Sequence, residues 1–79
     1  MVRIQIRVQT SVRQGELLIP VSFALRDRSF RILEVADRWH GADHAYYRII
    51  ADDGNLYVIR HDLDEDEWEL VQMEVIAGS

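Results

Sequence analysis

Apolar and polar residues alternate one for one over most of this chain, and a period of two confines it to strands. Val2, Ile4, Ile6 and Val8 alternate with Arg3, Gln5, Arg7 and Gln9. That is the pattern of a strand with one dry face and one wet face. Ile19, Val21, Phe23 and Leu25 repeat it, with Pro20 near the strand start, where a missing N–H is tolerated. Arg26-Asp27-Arg28-Ser29 reads as a tight turn. From Phe30 toward Trp39 the apolar set changes phase, with Phe30 and Ile32 on one parity and Leu33, Val35 and Trp39 on the other. A β-bulge near Ile32-Leu33 reconciles the two and bends the strand, as a small barrel requires.

Residues 40–43 form a predicted loop, and residues 46–51, rich in aromatic and β-branched side chains, a predicted strand. Asp53-Gly54 lies between that strand and Leu56-Tyr57-Val58-Ile59. It is the strongest hairpin signal in the chain, because glycine accepts positive φ. Residues 64–77 admit two readings. Trp68, Leu70, Val71, Met73 and Val75 fit a strand with a bulge at Leu70-Val71; they also fit a short amphipathic helix opened by acids and closed by Gly78. The strand is the expectation.

Short strands at this spacing predict one all-β domain over residues 1–79. Sequential strands tend to be neighbours, so the expected form is a small antiparallel five- or six-stranded meander, a partly open Src-homology-3-like barrel. A chain of 79 residues hides only about 60–65% of its unfolded surface, which limits it to one compact core. With no cysteine, that core forms without disulfides, and thiol catalysis and cysteine-bound zinc are excluded. No apolar run approaches the ~20 residues of a membrane span. The expectation is a cytoplasmic protein that does not enter a membrane.

Certain positions resemble a known pattern: Pro20-x-x-Phe23-x-x-Arg26-x-x-x-Phe30-x-Ile32, Tyr46-Tyr47-Arg48-Ile49, Asp53-Gly54-x-x-Tyr57-x-Ile59 and Trp68-x-Leu70. Over roughly residues 18–72 the chain is similar to a small uncharacterised bacterial domain of unknown function. A similar pattern closes the inactive, Y-family-polymerase-like subunit of a mutagenic repair complex, in a region implicated in contacts with other proteins. The resemblance implies protein interaction and leaves a repair association open. It implies no activity and no functional residues.

Charge divides by position. All nine basic residues are arginine; eight of them stand before residue 49 against five acids, whereas only Arg60 faces nine acids after it. Threaded on a meander, this gives an acidic pole around residues 62–67 and a modest basic strip on the first strand. Arg3, Arg7, Arg26, Arg28 and Arg31, with Tyr46 and Tyr57 outward on paired strands, form a candidate contact for single-stranded nucleic acid or a partner. The net charge of −5 opposes the nucleic-acid reading.

His40, His44 and His61 gather at the acidic pole as a weak candidate metal or pH-sensing site. Asp62-x-Asp64-x-Asp66 opens like a calcium loop but has Glu67 where that loop needs glycine and Met73 where it needs glutamate. A solvated acidic pole is the plainer account of both. No G-x-S-x-G elbow or phosphate-binding glycine loop is present, so neither catalysis nor a cofactor is expected. Trp68 reads as a core plug and Trp39, at a loop edge, as an exposed anchor. The function expected is therefore a non-catalytic protein-interaction module, working through the Trp39 patch or an exposed sheet edge. An unpaired edge would also let a second copy of the chain pair as a homodimer.

Overall fold

A computed structural model describes residues 4–12 and 18–75. Six strands follow in order: β1 (Ile4–Val12), β2 (Leu18–Leu25), β3 (Arg28–His40), β4 (His44–Ala51), β5 (Leu56–Asp62) and β6 (Glu67–Glu74). All pairings are antiparallel between sequence neighbours, and β1 returns to β6, so the meander closes as a barrel. Closure is short: Ile4, Gln5 and Ile6 pair with Leu70, Glu69 and Trp68. The expected opening is thus confined to two local splits, one between β2 and β3 and one between β1 and β6 beyond Ile6.

The first split comes from β3. Its first residues, Arg28 to Arg31, pair with β2, and Ile32 to His40 pair with β4. Two register shifts, between Ile32 and Glu34 and between Val35 and Asp37, leave Leu33 and Ala36 as the extra residues. The first is the bulge that the phase change predicts. A bulged strand bends and twists more strongly, and here it passes from one sheet into the other. β6 also carries its predicted bulge: Val58 pairs with Gln72 and Ile59 with Leu70, so Val71 is skipped. Residues 67–74 are strand, and the helical alternative for that segment is excluded.

The core has an aromatic group at each end. Phe23 stacks on Phe30 with centroids 5.1 Å apart, and Tyr57 meets Phe23 edge-on at 5.1 Å. At the other end Trp68 lies between Tyr47, at 5.5 Å, and His61, whose ring is parallel to it at 4.0 Å. Ile6, Ile49, Ile59 and Leu70 fill the space between these groups. Trp68 is buried, as a core plug should be.

Turns follow the local chemistry. Gly54 has φ 83° in the β4–β5 turn, the conformation that Asp53-Gly54 predicts. Arg26, in the two-residue β2–β3 turn, has φ 58°, where a side chain is strained and glycine is not. Replacing Ile59 by Val should cost about 0.5–1.5 kcal/mol, because it opens a void at a fully buried site. Leu33→Ala, at an exposed bulge, should change stability by less than about 0.5 kcal/mol. Arg26→Gly should be neutral or stabilising by up to about 1 kcal/mol. Urea titration of the three variants checks all three values.

Candidate interaction surfaces

On β4 and β5 the alternation is strict: Ala45, Tyr47, Ile49, Ala51, Tyr57, Ile59 and His61 are buried, and the residues between them face out. Trp39, Tyr46, Arg60, Glu69 and Gln5 stand in register across β3, β4, β5, β6 and β1 as one outer row. Trp39 and Tyr46 stack nearly parallel at 5.6 Å, and Trp39 keeps 44% of its surface exposed. Beside them lies a groove of about 400 Å³, bordered by Arg48, Leu56, Val58, Val71 and Gln72. Arg60 pairs with Glu69 at 2.5 Å, while its Nε is buried without a hydrogen-bond partner. The bond to Glu69 raises the Arg60 pKa against the opposing pull of desolvation, and Tyr46 adds to the rise.

The split between β2 and β3 forms a second concavity, of about 330 Å³. Ile19 and Pro20 form one wall, Val35, Asp37 and Arg38 the other, and Tyr47 the floor. Burial pushes the Tyr47 hydroxyl pKa up, and Arg38 partly counters it. Among the described residues, Ile32 to His40 have no strand partner on the β2 side. Two exposed apolar residues, Val21 and Leu33, flank this unpaired edge.

The candidate residues do not share one surface. Arg3 lies outside the described residues. Arg7 and Arg31 face outward on the three-stranded half of the barrel, Arg26 sits in the β2–β3 turn, and Arg28 lies over the Phe30 ring at 5.5 Å. Tyr46 is on the other sheet, stacked on Trp39. Tyr57 corrects the expectation that it faces outward. It pairs with Ile49 on the inward parity, it is 2% exposed, and its ring packs on Phe23 and Phe30. A joint arginine–tyrosine face is therefore absent among these residues.

The histidines also separate. His44 projects outward and meets Asp62 at 3.6 Å, whereas His61 points into the barrel end, against Trp68, with Nε2 2.8 Å from Asp66. His44 and His61 are one parity step apart on paired strands, so they cannot face a common ion. His40 is exposed at the end of β3. Among the described residues, no three His, Asp or Glu side chains gather as metal ligands, which corrects the metal expectation. The Asp62 carboxylate instead accepts the backbone N–H groups of Glu65 and Asp64. The bond from Glu65, opposed by desolvation and helped by Asp64 and His44, holds its pKa below the usual carboxylate range. That carboxylate caps a turn.

Sequence reasoning passed over Arg48, Leu56, Val58 and the cleft residues Ile19, Pro20 and Tyr47. Arg48 was accessible to it, since it shares the parity of Tyr46. The cleft was not, because its position depends on where two bulges end one pairing and begin another. No family model, curated protein or solved structure matches this chain.

At the β4–β5 turn, Asp53 accepts hydrogen bonds from the Asn55 backbone, the Asn55 amide and the Tyr57 hydroxyl. Burial first, then the Asp53 bond, push the Tyr57 pKa up to about 12. Burial opposes ionisation of Asp53, but the bonds from Tyr57 and Asn55 outweigh it and hold that pKa below 3.8. The folded Tyr57 value lies above the ordinary tyrosine value of 10.0, so this contribution is complete below pH 10 and is lost as pH rises toward 12. The Asp53 contribution is present above its unfolded value and is lost as pH falls through the lower folded one. Tyr57→Phe should cost about 1 kcal/mol at neutral pH. It should also remove the alkaline loss of stability that Tyr57 causes, which urea titrations at pH 7 and pH 11 compare directly.

Proposed function

We propose that this barrel is a non-catalytic protein-interaction module that receives an extended segment of a partner protein along the free edge of β3. One observation carries the reading: Ile32 to His40 are paired on the β4 side only and border an apolar cleft. An unpaired edge presents a row of N–H and C=O groups, and added strands take their affinity from that row. Side-chain pockets beside the edge supply selectivity. Here Ile19, Pro20 and Tyr47 line such a pocket on one side, and the exposed Trp39–Tyr46 stack offers an anchor at the end of the strand.

The bulges explain why the edge remains selective. A long, flat, regular edge pairs with any strand, whereas bulges at Leu33 and Ala36 interrupt the ladder and narrow the set of segments that fit. A second copy of this chain is a less suitable occupant. In a two-fold antiparallel pairing centred on Ala36, Glu34 and Arg38 come opposite each other, but the intervening bulge puts them on opposite faces of the strand. The interaction role agrees with what the resemblance to the mutagenic-complex subunit implies, and it extends no further than that resemblance.

Peptides selected from a displayed random library against the whole chain test the reading by amide hydrogen exchange. Bound peptide should slow exchange within residues 33–39, and Trp39→Ala should weaken binding at least tenfold, about 1.4 kcal/mol, without loss of fold. Peptides that leave residues 33–39 unprotected, or that bind Trp39→Ala as tightly as the parent, would show that the edge is not the docking site.

A further inference from the structure

The three-stranded half of the barrel has an outer face of another character. β1, β2 and the first residues of β3, Arg28 to Ile32, contain no aspartate or glutamate. Two outer rows cross these strands in register: Arg7, Ala24 and Ser29, then Gln9, Ser22 and Arg31. Strand spacing puts Arg7 and Arg31 at diagonal corners, about 12 Å apart between backbones. Ser22 Oγ donates to Gln9 Oε1 at 3.0 Å, which keeps the Gln9 amide nitrogen available as a donor. Shallow grooves of about 310 Å³ lie on both sides of Arg7, one shared with Gln9, Ser22 and Ser29, the other with Gln5 and Arg26. Among the described residues, none of Arg7, Arg26, Arg28 or Arg31 forms an ion pair.

We infer that this face is a second binding surface, one that holds the sugar–phosphate backbone of a nucleic-acid strand. Guanidinium groups match phosphate oxygens in a two-pronged geometry, and serine and glutamine donors also bind phosphate. The face carries no aromatic ring, because the exposed Trp39–Tyr46 pair is on the other sheet. Contact is therefore with the backbone and independent of base sequence. An acidic peptide suits the face less well, since peptide affinity comes mainly from buried aromatic or apolar anchors. An anionic membrane suits it less well for a related reason: no apolar stripe is present to enter the bilayer.

Acidic residues set the direction of the track. Beyond Arg7, Asp66 and Glu67 line the groove toward β6 and repel phosphate there. The strand therefore leads from Arg7 away from β6 and across β2, with Arg31 and Arg26 on either side of its path. Arg26 holds a positive φ at which glycine would relieve strain, and strain retained at a charged turn agrees with a contact made by that side chain. The net charge of −5 makes the interaction weak and strongly dependent on salt.

Fluorescence anisotropy of the whole chain with a dye-labelled oligothymidylate tests the inference. Three or four phosphate contacts predict a slope of log affinity on log salt of about −2 to −3. Arg7→Gln with Arg31→Gln should lower affinity at least tenfold and flatten the slope by about 1.4. Arg38→Gln with Arg48→Gln should leave oligonucleotide binding unchanged, and Arg26→Gly should weaken it while the protein stays folded. Absence of salt-dependent binding by the parent protein, or equal losses in the two double variants, overturns the inference. Tighter binding to a polyglutamate peptide or to phosphatidylserine vesicles than to the oligonucleotide also overturns it. Because the edge of β3 is untouched in Arg7→Gln with Arg31→Gln, peptide binding there reports separately on the first surface.

Discussion

A six-stranded barrel of this size closes through strands that serve both of its sheets: β1 pairs with β6 up to Ile6 and with β2 from Arg7, and β3 crosses between the sheets through its two bulges. Without the extra residues at Leu33 and Ala36, this strand of 13 residues would bend less between its pairing with β2 and its pairing with β4. The bulges turn it after Arg31, so the pairing with β2 ends as the pairing with β4 begins. The bend brings Phe30, at the end of one sheet, against Tyr57, in the middle of the other, and so forms one of the two aromatic groups of the core. It also opens the cleft. Closure of the core and exposure of the β3 edge are two results of one backbone geometry.

The same bend sorts the surface chemistry. Strand alternation alone would spread arginines and aromatic side chains over every outer face. In the folded chain the arginines of β1 and of the start of β3 remain on one sheet, and the rings of Trp39 and Tyr46 pass to the other with the end of β3. Apart from Asp27 in the β2–β3 turn, the described acids follow the second sheet and its loops, where Arg60 pairs with Glu69, and Asp62 and Asp66 bond to a turn and a histidine. Several of these carboxylates are therefore already engaged. The arginines of the first sheet are not ion-paired among the described residues, which is why a ligand contact is argued for them and not for the acids.

How much of this the residues disclose depends on the range of the interaction concerned. Strand positions, the Asp53-Gly54 turn and the bulges at Leu33 and Val71 are local, and each shows as a change of parity or a turn residue. Tyr57 was misplaced because its polar tip suits a wet face, yet its parity matches Ile59, which is fully buried. Its hydroxyl finds Asp53 at the barrel end, so burial leaves no polar group unsatisfied. The histidines were misjudged for the opposite reason: adjacency along the chain suggested a cluster, while one parity step between paired strands sent His44 and His61 to different faces. The β2–β3 cleft has no local signal at all, since it is the gap between two registers.

The placement of β3 also bears on how two ligands could share so small a domain. Residues 28–31 belong to the arginine face, and residues 32–40 carry the edge and the Trp39 anchor. A strand added to the edge would extend the second sheet beside β3, and phosphate held by Arg7 and Arg31 would lie across the outer face of the first. The two proposed occupants would meet the same strand on either side of its bend, one through backbone groups and one through side chains. They would not compete for donors. The ring contacts of Phe30 and the backbone bond from Asp52 to Arg31 brace the bend from within the core. The fold thus presents two chemically distinct faces on either side of one braced bend, an arrangement that would suit the proposed module, a protein segment held beside an anionic strand.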